Sequence, residues 1–159
     1  MRRGLGPGRS IVGIGALLAI VGAFLPWTYV GGGDTELPRR VSNAFEGPGV
    51  VMFMAAVGLL GLLILPYATS SGRSFLDRWL SYVILCGVMV VGTVLQVLQL
   101  LPGGALKLTP PFDVLGLYLG VIGTLLVVWG VAEIVNDEAR ARAASGPRHM
   151  TAFRPPKRK

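Results

Sequence analysis

The chain has 159 residues, of which 52% are hydrophobic and only 14% carry a charge, and its formal net charge is +7 at pH 7. Charged residues typically make up about a quarter of a soluble domain, which needs them to cover its surface. The composition therefore excludes an ordinary soluble domain and indicates a membrane protein.

Four stretches without a charged side chain divide the chain, at residues 10–33, 47–72, 79–106 and 114–132. Each is about as long as, or longer than, the roughly 18 to 20 apolar residues with which a helix crosses the hydrocarbon core of a bilayer. The sequence therefore predicts an all-α integral membrane protein, a bundle of four transmembrane helices at about residues 10–29, 48–68, 75–101 and 111–143. These helices form a membrane domain over residues 1–135.

The first apolar segment has two interpretations. Its charged start and apolar stretch resemble a secretory signal, and Val21-Gly22-Ala23 could serve as a cleavage site. The uncharged stretch continues beyond Ala23 into "FLPWTYV", which favours a retained first helix. Pro26 is then expected where this helix reaches the outer leaflet, with Trp27 and Tyr29 in the aromatic belt at the headgroups. The glycines before the helix, Gly4, Gly6 and Gly8, are interpreted as a flexible tail.

Turn and capping residues set the other boundaries. Residues 28–46, here called the first outer loop, and the second outer loop "GGALKLT" contain short alternating pieces. These pieces predict either a small β-hairpin or patch, or irregular loops. Gly47 and Pro48 suit the start of helix 2. Ser74 and Asp77 resemble a capping box at the start of helix 3, and Asp113 favours the start of helix 4.

Residues 136–159 are predicted to form a cytoplasmic extension of helix 4 followed by a basic disordered tail. Next to a membrane, the nearest polyanion for such a tail is the anionic lipid headgroup. We therefore expect the bilayer and its anionic headgroups as partners, and no nucleic acid.

The distribution of basic residues predicts the orientation. With the N-terminus inside, twelve Lys and Arg residues lie on the cytoplasmic side and three, Arg39, Arg40 and Lys107, lie on the other. Positive residues in short loops are retained in the cytoplasm. The chain is thus expected to be a multi-pass protein of the cell (plasma) membrane with both termini cytoplasmic. Aromatic residues expected in its inner belt are Tyr67, Trp79, Tyr82 and Trp129.

Small residues recur at helical spacing on two helices. They are Gly15, Ala19 and Ala23 on helix 1, and Gly116, Gly120 and Gly123 on helix 4, with Gly130 beyond. Small side chains let helix backbones approach closely in lipid. This pattern favours packing within the monomer, and its alternative is docking of a partner subunit.

Few polar residues lie inside the predicted helices. Gln96 and Gln99 are three residues apart and share one face of helix 3, and Thr93 and Thr124 are further polar positions. An unpaired amide in hydrocarbon is costly, so we expect an interhelical hydrogen bond. The alternative is a polar vestibule that binds a small molecule.

The central parts of the predicted helices lack the charged residues, histidines and paired cysteines on which transport and redox chemistry in membranes usually depend. No Asp, Glu, Lys, Arg or His lies deep in a predicted helix, His149 is in the tail, and Cys86 is the one cysteine. Proton-coupled transport, haem ligation and disulfide exchange each need such residues. We therefore expect no enzyme, no catalytic residue, no metal and no cofactor.

Three segments, "LLAIVGAFLPW", "FEGPGVV" and "GLYLGVIGTLLVVWG", resemble a loose class of small, uncharacterised bacterial four-helix membrane proteins. The first helix of that class often ends in an FLPW-like motif, and the class implies no established activity. The layout of loops is also similar to that of claudin-like proteins. The chain lacks their paired loop cysteines and Gly-Leu-Trp motif, so that similarity concerns architecture alone.

Two functional hypotheses follow. The favoured one is a non-enzymatic membrane protein, a scaffold, accessory subunit or envelope-interaction module with a membrane-protein partner. The alternative is a small transporter or channel component that acts as a homo-oligomer around Gln96 and Gln99.

Overall fold

The computed structural model describes residues 6–30, 40–68, 79–100 and 114–144. Its helices are α1 (Pro7–Phe24), α2 (Gly49–Ala68), α3 (Trp79–Leu100) and α4 (Leu115–Ala144). Between α1 and α2 lie the strands β1 (Thr28–Val30) and β2 (Arg40–Ser42), and a one-turn 3₁₀ helix, Ala44–Glu46.

Three of these helices, α1, α3 and α4, are long and apolar enough to cross a membrane. The part of α2 whose side chains the structure describes, Gly49–Leu65, is also apolar but is shorter than these three helices. With 30 residues, α4 is about 45 Å long and exceeds the roughly 30 Å of a hydrocarbon core. Its residues from 136 to 144 are exposed, so the last turns extend beyond the bundle.

The bounds of α1 differ from the predicted 10–29. The helix begins at Pro7, because proline suits the first helical position, where no N–H is needed. It ends at Phe24, because Leu25 precedes a proline and adopts the extended conformation, with φ −84° and ψ 163°. Gly8 is therefore a buried residue of α1, and its assignment to a flexible tail was wrong.

The first outer loop contains a short hairpin. β1 and β2 pair antiparallel, with Thr28 opposite Ser42, Tyr29 opposite Val41 and Val30 opposite Arg40. This is the small β-hairpin that the sequence left as one of two alternatives. The second outer loop, the proposed capping box at Ser74 and the predicted role of Asp113 lie outside the described residues.

α1 and α4 pack backbone to backbone along an antiparallel seam of glycines that recur every seven residues. The facing pairs are Gly8 with Gly130, Gly15 with Gly123, and Gly22 with Gly116. A Cβ added to Gly123 would lie 2.6 Å from the Gly15 carbonyl oxygen, and a Cβ on Gly15 would lie 2.7 Å from that of Gly123. Only hydrogen fits in such a space. A seven-residue repeat favours a left-handed supercoil of the two helices.

The core is made mostly of small and medium side chains with a few large ones, whereas many large apolar side chains lie outside. Trp27, Tyr82, Met52, Leu59 and Met89 are the largest fully buried residues. More than half of the surface of several apolar side chains is exposed, among them Ile14, Ile64, Ile84 and Leu125. An apolar outer surface of this kind is compatible with a lipid environment.

Candidate functional site at the FLPW end of the bundle

The FLPW end is the end of the bundle where α1 ends, α2 begins, α3 ends and α4 begins. The segment Phe24–Trp27 lies there and connects three elements. The Pro26 carbonyl accepts the Gly116 N–H (3.0 Å), at the start of α4, where helical N–H groups have no partner within the helix. The Trp27 N–H donates to the Ser42 carbonyl of β2 (2.9 Å). The motif thus joins α1, α4 and the hairpin.

Trp27 completes the end of α1. The Gly22 carbonyl would normally accept a hydrogen bond from residue 26, but Pro26 has no N–H to donate. The Trp27 indole Nε1–H donates to that carbonyl instead, at 2.8 Å. The Leu25 N–H also reaches it, at 3.3 Å. Because Pro26 cannot donate, the Gly22 carbonyl is available to accept the hydrogen bond from the Trp27 indole.

The expectation that Trp27 lies in an aromatic belt is corrected by this geometry. The side chain is only 1% exposed and belongs to the core. A Cβ added to Gly120 would lie 2.7 Å from Cζ2 of the Trp27 ring, so this glycine makes room for the indole. A belt residue lies on the outer surface, whereas the indole N–H of Trp27 binds an acceptor inside the bundle.

The other predicted belt residues lie in different surroundings. Trp129 is 67% exposed on α4, and Trp79 is half-buried at the start of α3. The Arg142 guanidinium carbon lies 5.6 Å from the centroid of the Trp79 ring, within the range of a cation–π contact. Tyr82 is 1% exposed and belongs to the core, so it is not a surface belt residue. The side chains of Tyr29 and Tyr67 lie outside the described set.

Gln96 connects α3 with the start of α2. Its Oε1 accepts the Gly49 N–H at 2.8 Å, and its side chain is 4% exposed. The bond is interhelical, and it satisfies an N–H that the first turn of α2 cannot satisfy itself. Gln99 is exposed, but its Oε1 lies 2.9 Å from the position of a Cβ on Gly47, beside the Oε1 of Gln96. The two carboxamides therefore converge on the start of α2.

Two buried threonines join α3 with α4. Their hydroxyl oxygens, in Thr93 and Thr124, lie 2.9 Å apart. Each hydroxyl also lies 2.9 Å from a carbonyl of its own helix, that of Met89 or that of Gly120. Two protons serve three contacts, so one hydroxyl donates across the interface while the other donates to its own helix. The apolar groove outside this pair, about 350 Å³, is lined by residues of α3 and α4 such as Val94 and Leu125.

The predicted packing residues are all buried, but they make different contacts. Gly15, Gly116 and Gly123 belong to the seam, and the backbone of Ala19 contacts Gly123. Ala23 is part of the core, and Gly120 faces the Trp27 ring. The four-residue spacing on helix 1 did not predict Gly8 and Gly22 as packing residues. The seven-residue recurrence of glycine on both helices was the signal that could have found them.

Three phenylalanines, here called the Phe cluster, meet at the FLPW segment, of which Phe24 is the first residue, and this cluster was not predicted from sequence. Phe24 is 5.1 Å from Phe45 and 5.7 Å from Phe53, and the latter two are 5.0 Å apart, measured between ring centroids. These separations suit tilted and edge-to-face aromatic contacts. Phe24 is 63% and Phe45 37% exposed, so the cluster is open on its outer side.

Within the residues that the structure describes, no group of three or more His, Cys, Asp or Glu side chains is placed to hold a metal ion. Comparison with known proteins found no matching protein-family model, no matching curated protein and no matching solved structure.

Proposed function

We propose that the chain is a non-enzymatic integral membrane protein, a scaffold or accessory subunit, that presents its first outer loop to a partner. In this proposal all four helices cross the plasma membrane, the FLPW end lies outside and both termini are cytoplasmic. The apolar outer surface of the helices supports the membrane location. The excess of basic residues on the opposite side supports the orientation.

The observation that carries the proposal is the way both ends of the first outer loop are fixed to the bundle. At its start, Trp27 is buried and binds both α1 and β2. At its end, Ala44 is fully buried, and a Cβ on Gly49 would lie 2.7 Å from the Ala44 Cβ. The described parts of the loop, held in this way, offer a preorganised surface, which lowers the entropic cost of binding.

Gln96 bears on the alternative, an oligomeric transporter or channel component. Its oxygen is committed to the Gly49 N–H, and its side chain is almost completely buried. These contacts suit a structural residue better than a residue that lines an open pathway.

Orientation is tested by labelling intact cells with a membrane-impermeant thiol reagent. Single cysteines replace Gly32 or Ser145 in a Cys86→Ala background. We expect labelling at position 32 and none at 145 until the cells are opened. The reverse pattern would overturn the topology.

The role of the loop is tested by native mass spectrometry of the protein extracted with its lipids. We expect a partner in fixed stoichiometry that is lost in Val41→Glu, because Val41 is 49% exposed in β2. Ala139→Glu, on the exposed extension of α4, is the control and should retain the partner. A symmetric homo-oligomer that conducts ions in liposomes would instead support the transporter alternative.

A further inference from the structure

The Phe cluster places a loop side chain on the outward surface of the helices. Phe24 is the last residue of α1 and is 63% exposed, so its ring points away from the bundle. Phe53, in α2, is partly buried beside the core. Phe45 contacts both rings, at centroid distances of 5.1 and 5.0 Å. Although Phe45 belongs to the loop, it therefore continues the apolar surface that α1 and α2 present to their surroundings.

The position of Phe45 is set by the turn that carries it. The Asn43 side chain accepts the Phe45 N–H at 3.1 Å and so caps the 3₁₀ turn. The next residue back, Ala44, is fully buried against the start of α2. With Ala44 pointing inward and the turn capped, the Phe45 ring is held on the outward side.

We propose that Phe45 seats the first outer loop on the lipid bilayer, with its ring at the boundary between acyl chains and headgroups. This inference rests on the proposed membrane location. A lipid surface is the occupant because the ring is continuous with helix surfaces that meet acyl chains when the helices span the bilayer.

In this arrangement the loop is fixed at two positions, Trp27 and Phe45. Trp27 fixes the loop to the inside of the bundle, and Phe45 fixes it to the membrane around the bundle.

The test places a nitroxide label on Phe45→Cys in the Cys86→Ala background, in nanodiscs of phosphatidylcholine and phosphatidylglycerol. The measurement is the ratio of collisions with oxygen, which concentrates in lipid, to collisions with a water-soluble nickel chelate. Leu125→Cys, at a 62% exposed site on α4, is the lipid reference, and Ala139→Cys is the water reference. We expect the ratio at position 45 to lie above that at 139 and at or below that at 125.

Each other outcome has a distinct meaning. A ratio at position 45 equal to that at 139 would place the ring in water and overturn the inference. Few collisions with either reagent would mean that protein covers the ring, which also overturns it. A water-like ratio at position 125 would refute the membrane location itself, and so the proposed function.

A second measurement keeps an aromatic ring at this position. Benzoylphenylalanine replaces Phe45, the nanodiscs are irradiated, and the peptide that contains residue 45 is weighed. We expect an added mass of one phospholipid, as for benzoylphenylalanine at Leu125 and unlike that at Ala139. Crosslinks to protein alone would refute the lipid contact even if the cysteine variant had loosened the cluster.

Discussion

Adding one methyl group to the seam between α1 and α4 should destabilise the protein, whereas the same methyl elsewhere should not. In Gly123→Ala the new Cβ would lie 2.6 Å from the Gly15 carbonyl oxygen and 2.7 Å from the Ala19 backbone nitrogen. Both neighbours are backbone atoms of α1, so neither can rotate away and the two helices must separate. Overpacking of this kind typically costs about 1–3 kcal/mol.

Gly87→Ala is the matched control. Gly87 is in the interior of α3, is exposed and has no atom within 4 Å of an added Cβ. Alanine in a helix is favoured over glycine by about 0.5–1 kcal/mol, and this gain applies to both variants. The difference between the two variants therefore isolates the contact. We expect Gly123→Ala to be less stable than Gly87→Ala by about 1–3 kcal/mol.

The assay is unfolding by sodium dodecyl sulfate in mixed micelles, followed by the circular dichroism of the helices. A double-mutant cycle with Gly15→Ala adds a second test. Once one methyl has separated the helices, the second should cost less than it does alone, so the two effects should not add. If Gly123→Ala proved as stable as Gly87→Ala, or if the two seam variants added fully, α1 and α4 would not meet through their glycines.

The same assay checks three further predictions. Trp27→Phe should cost about 1–3 kcal/mol, since a buried carbonyl loses its indole donor and a smaller ring leaves a void. Trp129→Phe, at a 67% exposed site, should change stability by no more than about 0.5 kcal/mol, and equal effects would contradict the buried role of Trp27. Gln96→Leu should cost about 1–3 kcal/mol and speed hydrogen exchange in the first turn of α2, because an N–H there loses its acceptor. Unchanged exchange would rule that bond out. Thr93→Val should cost only about 0.6 kcal/mol, because the Thr124 hydroxyl can still donate to its own helix, and adding Thr124→Val should cost little more, because the bond between the helices is already lost. A loss of several kcal/mol from the single change would show that the pair does more than join two helices.

Much of the helical layout followed from the sequence because long uncharged apolar stretches can be recognised from hydropathy alone. In a lipid environment, a stretch of about 20 apolar residues has to satisfy its own backbone, and a helix is the way for one segment to do so. The apolar segments and the prolines and glycines at their ends therefore located four helices. Pro26 was expected where the first helix reaches the outer leaflet, but the predicted helix continued to residue 29, whereas α1 ends at Phe24.

The identity of the buried residues depended on tertiary structure. A lipid-facing Leu and a buried Leu are chemically alike in a membrane, so hydropathy does not separate inside from outside. In the sequence, Trp27 resembled a belt residue. In the fold, Pro26 leaves the Gly22 carbonyl without its usual helical donor, and the Trp27 indole in the core donates to this carbonyl instead. Gln96 was expected to bond another helix, but the sequence did not say which one.

The glycine seam shows the same difference between what the sequence determines and what the tertiary structure determines. The chain determined that glycines recur on its first and last helices, because spacing along one helix is a property of the sequence. Only the fold decided that Gly8, Gly15 and Gly22 face the glycines of α4 in antiparallel order. The reason is physical: a periodic pattern marks the face of a helix that will be approached closely, but the partner of that face is chosen by the backbone contacts that form when the helices pack.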